Sequence, residues 1–397
     1  MSKSFRTTFS GLIACAVFCA QAHADRYEIT KVTVQRLGTL GGAESVAKDI
    51  NEHGDIVGWS DISRPERHAF LYRGGVMEDL TTAEGTMSEA NGINNHLQIV
   101  GQISGPNRPD SHAFFLDYGS PLRLLYDGLF PPVPECRTGG VAQKIADAGY
   151  IAGDRLVGCL PYTPPYPPYN HRAVFWVSAW DNYVIVSEVS RIGAPSEAYD
   201  VNEHTAVVGW DAIDGAYRWT LGVREWIQPP EVPETQFVWG DARFGRGIND
   251  SGRVVGEVLI DLTRSVEGGL TWRPFFWSGN PSRRSVVLPV FPDTGVEANS
   301  GAYEINNQDF AVGYAARRRA RDGWDRKFAV LWHPDIGIAQ LPFAEGVSDL
   351  ARSHDFCAAL SVNDRDSDTG LIQVVGYCSI GGRREAVLWD VTARLVR

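Results

Sequence analysis

A nine-residue phrase at residues 50–58, INEHGDIVG, recurs in recognisable form six more times along the 397-residue chain. Each copy begins with an aliphatic residue and ends with glycine, and the later copies begin at Ile93, Ile145, Val201, Ile248, Ile305 and Val362. Such self-similarity is the signature of a repeat architecture, in which each repeat is one supersecondary unit. The repeat therefore constrains the fold more than any single residue does, but it names no activity.

Each repeat reads as four short antiparallel strands. In the first copy, residues 45–50 alternate small or apolar residues with polar ones, which is typical of a half-buried strand. An Asn…Gly turn follows, and residues 55–60 form the return strand. Residues 68–72 and 76–80, separated by two glycines, are predicted as a second hairpin.

Two positions of the repeat indicate how the units pack. The third strand carries aromatic residues in every copy, and we predict that they fill the core between adjacent sheets. The glycine that ends the repeat phrase occurs in all seven copies. We predict that it marks a place where only bare backbone fits against a neighbouring sheet.

The spacing of the repeats favours a closed ring. Successive copies lie 43, 52, 56, 47, 57 and 57 residues apart, and four-stranded units of about 40–50 residues are typical of β-propeller blades. We predict an all-β, seven-bladed β-propeller in which either residues 32–37 or residues 393–397 complete the last blade. The alternative is an open β-solenoid of stacked hairpins.

The first 24 residues carry the marks of a Sec-type export signal. Basic residues precede an apolar run over residues 9–20, and the Ala-His-Ala triplet at residues 22–24 is typical of a cleavage site. The run is shorter than the ~20 residues of a membrane span. We therefore predict a signal peptide (1–24), a propeller (25–397) and a secreted or periplasmic protein with no transmembrane segment. Lipoprotein anchoring at Cys15 ranks second, because the apolar run continues past that cysteine.

The net charge and the sequence motifs restrict the classes of partner and of catalytic site that the chain is expected to have. The formal net charge is −11, and it becomes −13 once Lys3 and Arg6 leave with the signal peptide. This balance argues against a nucleic-acid partner, because neutralising phosphates needs a basic face. The sequence contains no Gly-x-Ser-x-Gly elbow, His-Glu-x-x-His motif or phosphate-binding glycine loop. We expect a monomer without a cofactor and assign no catalytic residue.

Four cysteines remain in the mature chain, and an even number in an exported protein suggests disulfides. Alignment of the repeats places Cys136 opposite or one residue away from Cys159 on neighbouring antiparallel strands. It places Cys357 and Cys378 in the same relation. Both pairs are close enough to bridge, and we predict the disulfides Cys136–Cys159 and Cys357–Cys378.

The triplets His68-Ala69-Phe70 and His112-Ala113-Phe114, with the segment LGTLGG at residues 37–42 and the repeat phrase itself, resemble the HAF repeat of bacterial extracellular proteins. The match spans most of residues 37–390 and is strongest in the first two copies; the His-Ala-Phe triplet is lost from the third copy on. The resemblance implies an exported bacterial protein. It implies no catalytic residues, because a structural repeat defines the family.

An insertion in the first hairpin turn of the last repeat holds Asp364, Asp366 and Asp368. Carboxylates at alternate positions before a glycine are how calcium loops gather oxygen ligands. Gly370 comes one residue late, and no acid follows at the distance of a closing ligand. The segment is thus a candidate Ca²⁺ site, with a solvated acidic turn as the alternative.

The connections between the second and third strands differ most among the repeats, and a propeller places all of them on one face. Long loops on a rigid scaffold often carry binding residues, and aromatic rings beside arginines suit sugars or an acidic polymer. The alternative is that these segments are tolerated surface insertions. The candidate binding residues are Tyr162, Tyr166, Tyr169, Trp272, Arg317, Arg318, Arg319 and Trp324.

The leading functional hypothesis is a non-enzymatic, exported binding or adhesion scaffold for a glycan or a protein. A propeller enzyme acting on polysaccharide, as a hydrolase or a lyase, is the first alternative, because paired carboxylates can come from distant blades. A purely structural surface protein is the second. The ligand itself is not named by the sequence.

Overall fold

The computed structural model describes residues 26–81, 86–105, 108–125, 138–157, 170–179, 183–185, 195–233, 236–262, 269–291, 298–318, 325–347 and 356–396. Over these ranges the chain forms 28 β-strands, arranged as seven four-stranded antiparallel sheets. The same ranges contain no helix that is long and apolar enough to cross a membrane.

We call each sheet a blade and letter its strands A to D from the central axis outwards. Blades 1 to 6 follow the chain, and blade 7 takes its D strand from the N-terminal end. The strands are, in blade 1, β2 (Gly41–Ile50), β3 (Ile56–Ile62), β4 (Arg67–Arg73) and β5 (Val76–Asp79); in blade 2, β6 (Met87–Ile93), β7 (Gln98–Gly105), β8 (Arg108–Asp117) and β9 (Arg123–Leu124); in blade 3, β10 (Thr138–Ile145), β11 (Ile151–Val157), β12 (Asn170–Trp176) and β13 (Tyr183–Ile185); in blade 4, β14 (Ser196–Val201), β15 (Ala206–Asp211), β16 (Gly215–Thr220) and β17 (Val223–Trp226); in blade 5, β18 (Phe237–Ile248), β19 (Val254–Asp261), β20 (Leu270–Trp277) and β21 (Val286–Val287); in blade 6, β22 (Ser300–Ile305), β23 (Ala311–Arg318), β24 (Asp325–His333) and β25 (Gly337–Gln340); and in blade 7, β26 (Cys357–Val362), β27 (Leu371–Ile380), β28 (Arg383–Val396) and β1 (Arg26–Gly38).

This architecture is a seven-bladed β-propeller, as the repeat spacing predicts. Of the two candidate closing segments, the N-terminal one completes blade 7: β1 pairs with β28 from Arg26–Val396 to Gly38–Ala386. Residues 393–396 belong to β28 itself. Blade 7 thus has four strands like the other six, and β1 covers the edge of β28 that would otherwise be unpaired.

Polar contacts close the ring between blade 7 and blade 1. The Ala386 N–H donates to Ser45 Oγ (2.9 Å), and Arg384 Nη2 pairs with Glu44 Oε2 (2.9 Å). The Asp364 N–H donates to the Glu52 carboxylate at 3.0 and 3.1 Å. Backbone donors that lie between blades therefore find side-chain acceptors at the seam.

The aromatic residues of the third strands lie between adjacent blades, as predicted. Trp277, Trp332 and Trp389 are almost fully buried. Each of these indoles donates its N–H to a backbone carbonyl, at 2.7–3.0 Å. The apolar ring is thus buried without leaving its one polar group unpaired.

The repeat-phrase glycine has a different partner from the one predicted. A Cβ on Gly58 would lie 2.0 Å from the Val46 carbonyl oxygen, and one on Gly256 would lie 1.9 Å from the Phe244 carbonyl oxygen. The same clash, at 2.0–2.1 Å, arises at Gly101, Gly153, Gly209, Gly313 and Gly376. The partner is strand A of the same blade and not a neighbouring sheet, because strand A bulges toward strand B at this point.

One of the two predicted disulfides lies within the described residues. Cys357 and Cys378 are directly opposed on β26 and β27, both are buried, and they are bonded to each other. Cys136 and Cys159 lie outside the described ranges. A disulfide is compatible with an oxidising compartment.

We expect the double variant Cys357→Ala/Cys378→Ala to lose about 2–4 kcal/mol of unfolding free energy, because the unfolded chain gains loop entropy. Urea denaturation followed by tryptophan fluorescence measures this loss. The matched comparison is made in excess reductant, where wild type and the variant both lack disulfides and should unfold at nearly the same urea concentration. Equal urea midpoints of wild type and variant without reductant would show that the bond contributes nothing to stability.

Candidate functional site

A β-bulge occurs at the same place in the inner strand of every blade. In blade 1 the register shifts between Ala47 and Asp49, so that Lys48 is the extra, unpaired residue. The equivalent shift occurs in the other six blades. Bulges re-aim side chains, and here they direct one side chain per blade toward the central channel: Lys48, Asn91, Gln143, Tyr199, Arg246, Tyr303 and Leu360.

The two ends of the channel open on different faces of the propeller. The turns between strands A and B, such as residues 51–55, lie on what we call the turn face. The connections between strands B and C, such as residues 63–66, lie on the opposite, connection face, because neighbouring strands are antiparallel. The predicted location of all B–C connections on one face is therefore confirmed for the described strands.

The bulge residues form the wall of a cavity of about 200 Å³ on the connection-face side, which we call the connection-face chamber. Following the blades, Lys48, Asn91 and Gln143 make one polar side. Tyr199 and Tyr303 flank Arg246 on the other side. A small cavity with two rings and a few polar groups is the usual composition of a ligand site.

Arg246 is held in one orientation by its neighbours. Its Nη2 and Nε donate to Glu257 Oε1 at 2.7 and 3.2 Å. Its guanidinium lies 4.3 Å from the ring centre of Tyr199 and 4.8 Å from that of Phe244. Nη1 donates to no described residue. The stacking and the Glu257 bond thus leave one edge of the guanidinium available to a ligand.

Two further donors in the chamber have no hydrogen-bond partner among the described residues. These are the Gln143 amide and the Tyr303 hydroxyl. Burial, reinforced by the negative charge of Glu257, raises the pKa of Tyr303. The phenol therefore keeps its proton at neutral pH and is able to donate it in a hydrogen bond.

A cluster of charges, which we call the plug, separates this chamber from the turn face. Lys144 Nζ donates to Asp49 Oδ1 (2.7 Å) and to Glu304 Oε2 (3.0 Å). Ser361 Oγ also donates to Asp49 Oδ1, at 2.7 Å. Burial and the charge of Glu304 raise the pKa of Asp200 well above its ordinary value, which favours a protonated Asp200 hydrogen-bonded to Glu304. Each plug residue lies directly after a bulge residue in the sequence.

The turn-face end of the channel is a cavity of about 190 Å³ with an acidic rim, which we call the turn-face chamber. One residue of each A–B turn accepts a hydrogen bond from the backbone N–H of the turn before it, so that the bonds run around the ring. Five carboxylates and two amides therefore meet here. The rim residues are Glu52, Asn95, Asp147, Glu203, Asp250, Asn307 and Asp364.

Desolvation, with the charges of Asp364 and Asp147, raises the pKa of Glu52 from 4.5 to about 7. Between these values the folded protein holds a proton that the unfolded chain releases. The stability that Glu52 provides is therefore present below pH 4.5 and is lost as the pH rises to about 7. We expect Glu52→Gln to melt at a higher temperature than wild type at pH 8 and at nearly the same temperature at pH 4.5.

The expected gain at pH 8 is below about 1 kcal/mol, because Glu52 is only partly desolvated: more than a third of the residue remains exposed, so solvent screens the charges that act on it. Thermal unfolding of both proteins at the two pH values measures it. Comparing wild type with the variant cancels the titration of all other groups. A difference in melting temperature that is the same at pH 4.5 and pH 8 would contradict the raised pKa.

Aromatic residues extend from the chamber along blade 5. Phe244 packs against Trp210 and Trp272, with ring centres 5.1 and 5.5 Å apart. Nearer the connection-face end of β18, Phe237 and Trp239 are 58% and 43% exposed, and their rings meet edge to face at 6.1 Å. An exposed aromatic strip, formed by Phe237 and Trp239, therefore lies on the strand that carries Arg246.

The structure places the predicted binding residues unevenly. Trp272 packs against Phe244. The guanidinium of Arg317 lies 4.3 Å from the ring centre of Phe291. Arg318 lies in β23, opposite Asp325. The remaining candidates, Tyr162, Tyr166, Tyr169, Arg319 and Trp324, lie outside the described residues.

The three aspartates of the candidate calcium loop have separate contacts. Asp364 belongs to the acidic rim, where its carboxylate accepts two bonds from Asn307 (2.7 and 3.0 Å). Asp366 Oδ1 accepts the Thr369 N–H and hydroxyl, both at 2.7 Å. The Asp368 side chain is exposed. Among the described residues, no three His, Cys, Asp or Glu side chains are grouped so as to hold a metal ion.

Sequence reasoning missed the chamber residues, although a signal for them exists. Each bulge residue is the third residue before the asparagine position of the repeat phrase, and each plug residue is the second. Read across the seven repeats, the bulge position is Lys, Asn, Gln, Tyr, Arg, Tyr and Leu, and the plug position is Asp, Gly, Lys, Asp, Gly, Glu and Ser, while the positions beside them stay small or aliphatic. Variation at one position of a conserved frame is what a ligand-facing position shows.

Comparison with known proteins gives structural neighbours alone: no family model and no curated protein matches the chain. A structure titled YCF48 bound to D1 peptide has a TM-score of 0.47 and 11% identity, over 91% of this chain and 97% of that one. The β-propeller domain of the Trilobed protease from Pyrococcus furiosus has a TM-score of 0.46 and 10% identity, over 88% of this chain and 94% of that one. A PL25 ulvan lyase has a TM-score of 0.39 and 10% identity, over 74% of this chain and 81% of that one. These values carry no information on the function of this chain.

Proposed function

We propose that the protein is an exported, non-enzymatic binding protein whose ligand is a glycan held on the connection face. The observation that carries this proposal is the connection-face chamber, where two tyrosine rings and several donors without a partner among the described residues line one cavity. The export signal and the HAF resemblance support the proposed location, and the disulfide is compatible with it.

The chamber has the chemistry and the size that a sugar ring requires. Tyr199 and Tyr303 contribute aromatic rings, and on the opposite side Gln143 offers an amide without a described partner beside Asn91, whose amide is bonded to Lys48 and to the Ala142 carbonyl. Its volume of about 200 Å³ is below the ~300–1,000 Å³ of sites for drug-sized ligands. A site of this size holds one sugar unit and leaves the rest of a chain outside.

The exposed strip on blade 5 gives the rest of the chain a surface. Phe237, Trp239 and Leu270 are each more than two-fifths exposed, and successive sugar rings stack on such groups. Rigid aromatic anchors add contact area at a small entropic cost. We propose that the chain runs from the chamber along blade 5.

The residues that line the connection-face chamber do not favour catalysis there. Of the described carboxylates, only Glu304 lines it, and Glu304 is already bound to Lys144. Glycosidases use two carboxyl groups flanking the bond that breaks. A tyrosine acting as a base needs a lowered pKa, whereas burial raises the pKa of Tyr199 and of Tyr303.

A second candidate function is a polysaccharide-acting enzyme, and one observation favours it. Glu52, with a pKa of about 7, shares the turn-face chamber with Glu304 and Lys144. An acid with a pKa near the working pH beside a second carboxylate suits acid–base catalysis. This reading places the ligand on the opposite face from the binding proposal.

A glycan array separates these candidates when it is scored for both retention and product release. Residues 25–397 are applied as wild type, as Tyr199→Ala/Tyr303→Ala, and as Tyr118→Ala, which removes a partly exposed tyrosine of the turn face. Binding predicts retention without release, lost in the double variant and kept in the control. Release that disappears in Glu52→Gln supports the enzyme instead. No retention and no release on any glycan overturns both candidates.

A further inference from the structure

We propose that the connection-face chamber recognises the anionic group of an acidic sugar residue, a uronate carboxylate or a sulfate ester, and that Arg246 is its anchor. The inference rests on the proposed function and deepens it, because it names the class of glycan. Carboxylate and sulfate share one chemistry here: two oxygens that accept parallel hydrogen bonds from one guanidinium.

Arg246 has the arrangement that anion recognition requires. Glu257 engages Nη2 and Nε through a single oxygen, Oε1, and Tyr199 and Phe244 flank the guanidinium plane. Arg246 lines the cavity, and its Nη1 has no hydrogen-bond partner among the described residues. Little side-chain entropy remains to be lost when an anion binds, because the orientation is already set.

A second cation faces Arg246 from the other side of the channel. Lys48 Nζ donates to Glu89 Oε2 (2.6 Å) and Asn91 Oδ1 (2.7 Å). An ammonium group carries three protons, so one donor of Lys48 remains. An acidic sugar in the chamber thus lies between a guanidinium and an ammonium group, with tyrosine rings beside it.

The two ends of the channel differ in charge, and the difference selects the connection face for an anion. The turn-face rim carries five carboxylates, with Lys144 as the cation in the same lining. Lys48, Lys144 and Arg246 line the connection-face chamber, with one carboxylate. A negative group is therefore repelled at the turn-face rim, whereas the connection-face chamber offers it the remaining donors of Lys48 and Arg246, each of which is also paired with a carboxylate.

Gly301 supports the anchor from outside the chamber. A Cβ at this position would lie 2.7 Å from Glu257 Oε2. Gly301→Ala therefore displaces Glu257, which holds Arg246 by its Nε and Nη2. Gly301 acts as a positioning residue, and its substitution should weaken binding of the charged sugar more than binding of its neutral counterpart.

The test is isothermal titration of residues 25–397 with matched pairs of probes. One pair is trigalacturonic acid and its methyl ester; the other is a sulfated galactan oligosaccharide and its desulfated form. We expect one charged probe to bind at least tenfold more tightly than its neutral partner, and that pair identifies the anion. Arg246→Gln should remove this preference, with a loss of tenfold or more for the charged probe and little change for the neutral one.

Two control variants keep the test decisive. Arg246→Lys retains the positive charge but lacks the paired donors of the guanidinium. It should recover part of the preference for the charged probe over the neutral one, which a merely structural role of Arg246 would not predict. Arg73→Gln removes a half-exposed arginine paired with Asp55 on the turn face and should change nothing. Thermal melting confirms that each variant is folded.

Equal affinity within both pairs overturns the anion proposal but leaves glycan binding intact. An Arg246→Gln variant that weakens both members of a pair equally also overturns it, because Arg246 then acts on the fold. If no probe binds and the glycan array shows neither retention nor product release, the proposed function is overturned as well.

Discussion

Removal of β1, residues 26–38, is expected to abolish cooperative folding of the propeller. β1 is the D strand of blade 7 and pairs with β28 along nearly its whole length. Its side chains Tyr27, Ile29, Val32 and Val34 pack on the core between blades 6 and 7. Without it, β28 presents an unpaired edge and blade 7 exposes apolar surface, so the variant should lose its sharp thermal transition and aggregate.

The matched control is the chain that begins at residue 26, which keeps β1 and should melt as the mature protein does. A synthetic peptide of residues 26–38, added in excess to the truncated protein, should restore a cooperative transition with a concentration-dependent midpoint. Circular dichroism at increasing temperature records both effects. A truncated protein that melts cooperatively within a few degrees of the control would show that the last blade does not need β1.

Replacement of Lys144 by methionine is expected to cost about 3–5 kcal/mol of unfolding free energy at pH 8, because it leaves buried carboxylates without their cation. Lys144 bridges Asp49 and Glu304 at 2.7 and 3.0 Å, and Asp49 is almost fully buried. The charges of Asp49 and Glu304 raise the pKa of Lys144 well above its ordinary value, against the opposing effect of burial. The lysine is therefore charged at every pH at which the protein would be studied.

The loss should shrink as the pH falls. Without Lys144, the pKa values of Glu304 and Asp200 rise further, since both are already raised by burial and by neighbouring carboxylates. A group whose folded pKa is raised costs stability above that pKa and ceases to do so once it is protonated. Urea denaturation at pH 8 and pH 4.5 should therefore show the larger deficit at pH 8. Arg284→Met, which breaks a pair with Glu231 that is open to solvent, serves as the control and should cost less than about 1 kcal/mol.

A deficit that is equal at the two pH values would contradict this account of the plug. It would mean that Lys144→Met acts through lost packing, since packing does not titrate. The triple variant Lys144→Met/Asp49→Asn/Glu304→Gln adds a second check. If unpaired charge is the cause, it should be more stable at pH 8 than the single variant.

The fold follows from the sequence because each blade repeats the same local chemistry. Asn306, for example, accepts backbone N–H bonds from residues 308 and 310 of its own turn and donates to the Asn363 carbonyl of the next blade. A turn and a contact between blades are thus encoded by one residue of the phrase. The same repetition places Cys357 opposite Cys378, as the alignment of the repeats predicts.

The candidate site could not be predicted in the same way, because it depends on a deviation from ideal strand geometry. Strict alternation does not indicate whether Arg246 faces the channel, since the bulge adds one residue and changes the direction of those that follow. The glycine that permits the bulge was recognised, but its partner was misassigned to a neighbouring sheet. Contacts among Arg246, Tyr199 and Glu257 join separate strands and two blades, which sequence spacing does not reveal.

The central claim is that a glycan binds in the connection-face chamber, and a crystal structure with the most strongly retained glycan of the array tests it most directly. We predict density for one sugar unit between Arg246 and Lys48, beside the rings of Tyr199 and Tyr303 and within hydrogen-bonding distance of Arg246 Nη1, with the chain continuing over Trp239. Density in the turn-face chamber among Glu52 and Asp250, or on the outer edge of a blade, would contradict the account.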